Sequence, residues 1–384
     1  DAFRREVRQR LRDEVQKLAL WGYRSHCSLH LVLTVVDADR ARAFIHAVLN
    51  DRLLTFGDGG ANRDAPGLNL GFTYRGLAAL GLPVTYLDAL AARSPAFREG
   101  AASRAARRLG DTGASAAERW EPMFAADRAE VVISIHDDRM GDVYAKAKAL
   151  EGLVANAFDG WDNGRIEAAH LGPDRDDRRV HFGFRDNLSR QRIVDQLDLD
   201  EKERRKGFGD HLAGELLIGH DSDTGFDRWR VQGPVTDKAR GFFANGSFAA
   251  LRKIAQDEVA FADFLMRAKA SVVGQGASPL SDDQLKAKLC GRWPDGAVVR
   301  PWSTLAQNET PEPDFAFVAD PQGYPIDPDG IGCPFGSHLR RTNPRDDPLA
   351  PPQLRTLFRR GMPYGAPYKG KPDNSERGLV GLFF

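Results

Sequence analysis

Cysteine is scarce: Cys27, Cys290 and Cys333 are the only three in 384 residues, widely and irregularly spaced. That excludes a disulfide framework and a cysteine-based zinc site, and it fits a reducing compartment. Neither sign of charge dominates, with 54 Lys and Arg against 54 Asp and Glu. A balanced chain has no global field to draw it to nucleic acid or an acidic membrane surface, so neither partner is expected. No apolar run approaches the roughly 18 residues that a membrane span requires. Residues 1–5 (DAFRR) show no apolar leader, which points to the cytoplasm.

What is present is length and a patterned interior. With 42% hydrophobic side chains the chain can bury a large core, and roughly 150 residues per domain suggests two domains. Residues 3–20 intersperse charges with Leu11, Val15 and Leu18, a spacing that predicts an amphipathic entry helix. Residues 30–36 (HLVLTVV) predict a strand. Asp37 is placed to cap a helix over 37–50, with Ala43, Phe44, Val48 and Leu49 on its inner face. A strand over 68–73, a short helix stopped at Gly81 and Pro83, a strand over 130–135 and a helix over 141–158 follow. This β-α-β, β-α-β order suggests an α+β ferredoxin-like unit, helices lying on one face of an antiparallel sheet.

Residues 159–180, rich in Gly, Asp and Arg, predict a loop. Strands over 214–219, 246–254, 356–359 and 378–384, with a helix over 257–269, make a second unit of similar order. The domains are set at 1–205 and 206–384. Residues 273–352 carry many Pro and Gly and few periodic runs, and so large a loop region in a compact chain more often serves function than decoration.

The densest candidate site lies there: Phe335-Gly336-Ser337-His338-Leu339-Arg340-Arg341-Thr342-Asn343-Pro344-Arg345. One imidazole follows a Pro/Gly turn, and three guanidinium groups come within seven residues of it. Such a set suits a metal ion with carboxylates or phosphates at the edge of its cofactor, and heme has that shape. A surface or capping histidine is the plain alternative. The stretch resembles the proximal-histidine motif of the dye-decolorizing (DyP-type) heme peroxidases. Two further blocks share the resemblance. Gly183-Phe184-Arg185-Asp186-Asn187 is similar to the family's G-x-x-D-G, and Arg359-Arg360-Gly361-Met362-Pro363-Tyr364-Gly365 to its distal-arginine strand. The likeness runs on through residues 68–83, 97–113, 214–220, 245–264 and 288–296, and so covers nearly the whole chain.

The resemblance implies two ferredoxin-like domains, each an antiparallel β-sheet with helices packed on one face, as in the dimeric α+β barrel superfamily. Heme b (iron protoporphyrin IX) would be held in the second, and family members continue past the strand in which this sequence stops. It also implies a peroxidase, an oxidoreductase that reduces hydrogen peroxide and oxidises dyes, phenols or similar aromatic donors in one-electron steps. His338 would be the proximal iron ligand, Asp186 the distal acid-base group and Arg359 the distal cation. Arg340 and Arg341, with Arg345 less directly placed, would meet the heme carboxylates.

Each assignment has its plain counterpart. Asp186 also reads as a turn residue or helix cap, and Arg360 competes with Arg359 because adjacent strand residues face opposite ways. The family's last motif Gly is Asn187 here, and Arg190-Gln191 stands where Gln-Pro is usual; Asn tolerates left-handed backbone angles, so the turn is expected to survive. Trp120, Trp161, Trp229, Trp293, Trp302 and Tyr368 are available for electron transfer to bulky donors, with none separable from ordinary packing aromatics. Two other functions compete. One is a heme-binding or heme-handling protein with little peroxidase turnover, which Asn187 favours. The other is a non-heme scaffold, which leaves His338, Arg340 and Arg359 without a shared purpose.

Overall fold

A computed structural model describes residues 11–57, 66–125, 128–174, 178–189, 191–193, 210–223, 241–276, 278–300, 315–319, 326–347, 349, 356–371 and 373–384. They group into two compact units, Asp1–Ala168 with Leu216–Phe248, and Ala169–Glu215 with Ala249–Phe384. Where the sequence suggests one boundary after residue 205, the chain passes between the units three times. Arg190, Trp229 and Trp302 lie outside the described residues.

In the first unit, β1 (Cys27–Val35), β2 (Gly67–Phe72), β3 (Val131–Asp137) and β4 (Phe158–Asp159) run in the order β2-β3-β1-β4, all neighbours antiparallel, and β5 (Arg165–Ala169) also pairs with β1. Leu29 stands opposite Ile135, Leu31 opposite Ile133 and Leu33 opposite Val131. Cross-strand partners share a face, so these six side chains, each at most 1% exposed, form one apolar layer. The alternate positions carry Ser28, His30, Asn69, Ser134 and His136, all buried.

Helix α1 (Ala38–Asn50) begins where expected: the Asp37 carboxylate accepts the Arg40 N–H at 3.0 Å. Its buried stripe is Ala41, Phe44 and Val48, while Ala43 and Leu49 face water, because a 3.6-residue period carries the stripe through 41, 44 and 48. Short helices α2 (Tyr74–Ala79), α3 (Val84–Arg93) and α4 (Pro95–Arg104) follow β2, and α5 (Met140–Leu153) packs on β1 and β3. Ile218 and Phe243, from the later segment of this unit, pack with Leu90 of α3.

Three expectations are corrected. The entry helix buries Leu11, Val15 and Leu18 as its spacing suggests, but it breaks at Gln16. That residue turns extended, bridges Phe56, and binds both backbone groups of Leu70 through its side-chain amide at 2.9 and 2.7 Å. The stretch read as loop contains β5, whose Ile166 and Ala168 alternate inward; two apolar side chains are a weak signal amid Gly and Asp. Residues 214–219 form no strand: Ala213–Glu215 is a 3₁₀ turn, and the apolar run Leu216, Leu217 and Ile218 is buried by packing.

The polar layer sets a pH dependence. His30 Nδ1 bonds Ser134 Oγ at 2.8 Å, the His136 ring stacks on Tyr23 at 4.6 Å, and the Tyr23 hydroxyl donates to Asn69 Oδ1 at 2.8 Å. Burial lowers the His30 pKa to about 4; burial and then the neighbouring His30 hold His136 well below its ordinary value. The unfolded chain protonates His30 near pH 6.5 and the folded chain only near 4, so its contribution to stability is complete above 6.5 and is lost as pH falls through that window, with His136 acting in the same direction. His30 alone accounts for a loss on the order of 3 kcal/mol, at about 1.4 kcal/mol per pH unit. Urea denaturation at pH about 7 and about 4.5 checks this; His30→Ala should flatten the difference, and equal native stabilities at the two pH values would refute it.

The second unit holds a three-stranded antiparallel sheet in the order β8 (Ala250–Ala255), β10 (Gly378–Phe383), β9 (Arg359–Tyr364), and a short parallel pair, β6 (Arg192–Ile193) with β7 (Asp210–His211). Its helices are α6 (Glu258–Gly274), α7 (Asp282–Cys290) and α8 (His338–Thr342). The strand expected over 356–359 starts at Arg359 instead and includes Pro363, which β9 tolerates as an edge strand. A capping box between Ser281 and Gln284 opens α7, and Gly291 closes it with φ +89°. A Cβ on Gly291 would stand 2.6 Å from Leu339 Cβ and 3.0 Å from Cys333 Sγ, so only glycine lets α7 end against the loop before α8. Ala287, Trp293, Val298, Phe315, Phe317, Cys333 and Leu339 form the core there. Among the described residues no helix is long and apolar enough to cross a membrane.

Candidate active site

His338 opens α8, directly after the cap. Ser337 Oγ accepts the Arg340 N–H at 3.4 Å and meets Cys333 Sγ at 3.1 Å, which fixes the turn from which the imidazole projects. Its ring is open to solvent and makes no side-chain hydrogen bond among the described residues. Partial burial and then the Arg359 charge lower its pKa, against an opposing pull from Asp186, so the imidazole is neutral at neutral pH. His338 therefore lies within electrostatic reach of both Asp186 and Arg359, and all three belong to the second unit. A boundary at 205 would have parted Asp186 from the other two.

Arg340 is committed elsewhere. Its side chain has no exposure; Nη1 donates to Asp347 Oδ2 at 3.1 Å and Nη2 to Asp327 Oδ2 at 3.2 Å, while the guanidinium lies 3.9 Å from the Phe317 ring centre. Asp327 also accepts the backbone N–H groups of Ile331, Gly332 and Cys333 at 2.9, 3.2 and 2.7 Å. Asp346 accepts those of Phe317, Val318 and Ala319 at 2.7, 3.0 and 2.8 Å. The guanidinium expected at a cofactor carboxylate is instead sealed inside the loop, tying it around buried acids. Arg345 donates to the Asn343 carbonyl at 3.1 Å and stacks on Phe315 at 4.0 Å. Arg341 is exposed and, among the described residues, forms no ion pair.

Residues 178–186, also in the second unit, fold back on themselves. Arg179 and Arg185 bridge, the Gly183 N–H meets the Val180 carbonyl at 2.8 Å, and the Asp186 N–H meets the Arg178 carbonyl at 2.7 Å. Asp186 emerges from this hairpin to pair with Arg359, the first residue of β9. Burial pushes the Asp186 carboxyl up, but the Arg359 charge and hydrogen bond, with the Asn187 N–H, bring it below its ordinary value. Asp186 in turn raises Arg359. The glycine two residues on makes room for this cation: a Cβ on Gly361 would stand 2.9 Å from Arg359 Nη1. Asn187 adopts φ +61°, the left-handed turn its side chain tolerates.

The arrangement joins a neutral imidazole, an ionised carboxylate and a fixed guanidinium. A neutral imidazole can ligate iron, an exposed Arg341 can meet a carboxylate edge, and the Asp186–Arg359 pair can hold a small polar molecule and move its proton. The donor set thus fits heme. His170 and Cys290 act electrostatically on this pair without having been flagged by any motif. Asp327, whose PIDPDG surroundings read as a turn, shows its importance only once Arg340 is placed beside it.

Residues 54–163 match the DyP dimeric α+β barrel domain family. A dye-decolorizing peroxidase of Exidia glandulosa is 28% identical over 335 residues, 82% of this chain and 58% of the relative. A multifunctional dye peroxidase of an Amycolatopsis strain is 26% identical over 307 residues, 78% of this chain and 58% of its own length. The chain spans about three fifths of the length of such relatives, 58% and 64% in two of them. Among solved structures, a dye-decolorizing peroxidase in complex with 2,6-dimethoxyphenol superposes with a TM-score of 0.72 at 21% identity, covering 96% of this chain and 80% of that one. An ancestral D-type dye-decolorizing peroxidase gives 0.72 at 25% identity, covering 96% and 79%. A third, with a TM-score of 0.70 at 20% identity over 97% and 80% of the two chains, is a dye-decolorizing peroxidase engineered in its heme pocket. The fold is theirs.

Proposed function

We propose that this chain is a dye-decolorizing (DyP-type) peroxidase, whose second unit binds heme b and reduces hydrogen peroxide, oxidising phenols, dyes or similar aromatic donors in one-electron steps. The observation that carries this reading is the grouping of His338, Asp186 and Arg359 within one unit, where Asp186 and Arg359 act electrostatically on each other and both act on His338. His338 would hold the iron through a neutral nitrogen, and Arg341 would meet a heme carboxylate. When bound, the heme supplies an iron that can take up and pass on electrons. Arg359 orients peroxide and stabilises the negative charge that develops on its departing oxygen. Asp186 accepts a proton from the near oxygen and returns it to the far one, so that water leaves. Over the full cycle one peroxide, two protons and two electrons from the donor give two waters.

A second reading has its own support. The Asp186 carboxylate is bound directly to Arg359 and drawn below its ordinary pKa, which weakens it as a base. A heme-handling protein with slow turnover would share that feature. Absorption spectra of the chain titrated with heme, taken with a His338→Ala variant and followed by turnover of a phenolic donor with peroxide, separate the two. Heme binding that depends on His338, with sustained donor oxidation, supports the peroxidase. Heme binding with peroxide-driven bleaching and no turnover supports the handling role, and failure to bind heme overturns both.

A further inference from the structure

The 178–186 hairpin is fastened to β9 at both ends of that strand. At one end Asp186 pairs with Arg359. At the other, the His181 Nε2–H donates to the carbonyl of Tyr364, the last residue of β9, at 2.8 Å. A carbonyl can only accept, so this contact places a proton on Nε2. The His181 side chain has no exposure. Its Nδ1 faces Glu258 Oε1, on the first residue of α6, at 3.5 Å, and both atoms are buried without a hydrogen-bond partner among the described residues. Arg377 Nη1 stands 3.5 Å from the other Glu258 oxygen and Nη2 is bound to both oxygens of Asp373 at 2.7 Å. His181 thus meets a strand end and a helix start, and the arginine that precedes β10 stands against the other oxygen of the helix-start carboxylate.

We propose that His181 is a positioning residue for the peroxide step: its Nε2–H pins the hairpin to the end of β9 and thereby holds Asp186 in register with Arg359. This rests on the reading of those two residues as the peroxide-handling pair. His181 and Asp186 are five positions apart, as are Arg359 and Tyr364, so the two attachments close a ring of backbone. The hairpin is also tied at Arg185, whose N–H donates to the Pro294 carbonyl at 2.9 Å, and at Phe182, stacked on Phe261 at 4.2 Å, so loss of the His181 bond frees its link to the end of β9 while these contacts remain. Gly183, at φ +86°, supplies the bend but no restraint of its own. Arg359 is anchored by its strand; Asp186, on a hairpin, depends on its fastening.

The test compares His181→Leu, which fills the space without a donor, with His181→Gln, whose amide N–H can reach the same carbonyl. His181→Leu should lower kcat/KM for hydrogen peroxide about 10-fold, within the roughly 100-fold that a misplacement of about 1 Å can cause, leaving KM for the aromatic donor unchanged. His181→Gln should recover most of that loss. In the chain without heme, amide hydrogen exchange over 184–187 should quicken in His181→Leu and return to the native rate in His181→Gln. Equal losses in both variants, or faster exchange with an unchanged peroxide rate, would overturn the proposal. Native exchange in His181→Leu would overturn it too. Because exchange is read without heme, a chain that binds no heme would discard the peroxidase reading while the pin itself was still decided.

Discussion

Asp186→Asn lowers kcat/KM for hydrogen peroxide by about 10²–10⁴-fold, the range for removing a placed acid-base group. Asparagine keeps the shape of the side chain and its hydrogen bond to Arg359 while removing the capacity to take a proton. Rapid-mixing kinetics with excess peroxide measure the effect, and a loss below about 10-fold would assign the proton transfer to another group. The pH profile carries a second signature. Arg359 and the Asn187 N–H outweigh burial and hold the Asp186 carboxyl below its ordinary value, so its basic form persists through the usual carboxylate range. The native rate should hold down to that range and fall only below it, and Asp186→Asn should lack that acid limb. The same sign governs stability: the ion pair contributes above the unfolded pKa of Asp186, and its contribution disappears as pH falls through the folded one. Both side chains are partly exposed, so solvent screens that contribution.

Arg340→Ala destabilises the second unit by about 3–5 kcal/mol, the cost of breaking a buried ion pair from one side. Two carboxylates, Asp327 and Asp347, are 5% and 4% exposed at their side chains and would lose their common cation. Thermal denaturation should show a midpoint lowered by on the order of 10 °C for a unit of this size. Adding Asp347→Asn to Arg340→Met should recover part of the loss, because one stranded charge is then gone. Performing the melts without heme separates two roles. A cation that served only a cofactor carboxylate would cost nothing in the heme-free chain; the geometry around Arg340 predicts the full loss there.

What could be read from the sequence was what local chemistry decides. Asp37 caps α1 because a side-chain oxygen beside a free N–H needs nothing from elsewhere in the fold. The left-handed turn at Asn187 follows from the tolerance of asparagine for that angle. His338, Asp186 and Arg359 were legible as motif positions, and the fold places them in one unit. The fate of Arg340 was hidden because its partners lie 7 and 13 residues away in segments whose Asp and Pro content reads as turn. Nothing in the motif separates a guanidinium that faces a ligand from one that ties a loop. His181 lay inside a recognised block, yet its contacts are with residues 77 and 183 positions distant, beyond any local pattern. The interleaving of the units was equally invisible, since composition does not change at residues 168, 215 or 248.

That interleaving bears on how the protein is made. Domains generally fold as units during synthesis, N-terminal first, at about 5–20 residues per second. Here the first unit lacks residues 216–248 until 169–215, which belong to the second, have left the ribosome. Leu90 must therefore wait for Ile218 and Phe243, with its apolar surface uncovered for several seconds. No single cut in the gene yields two complete halves, so a truncation at residue 205 would release a fragment with an open core.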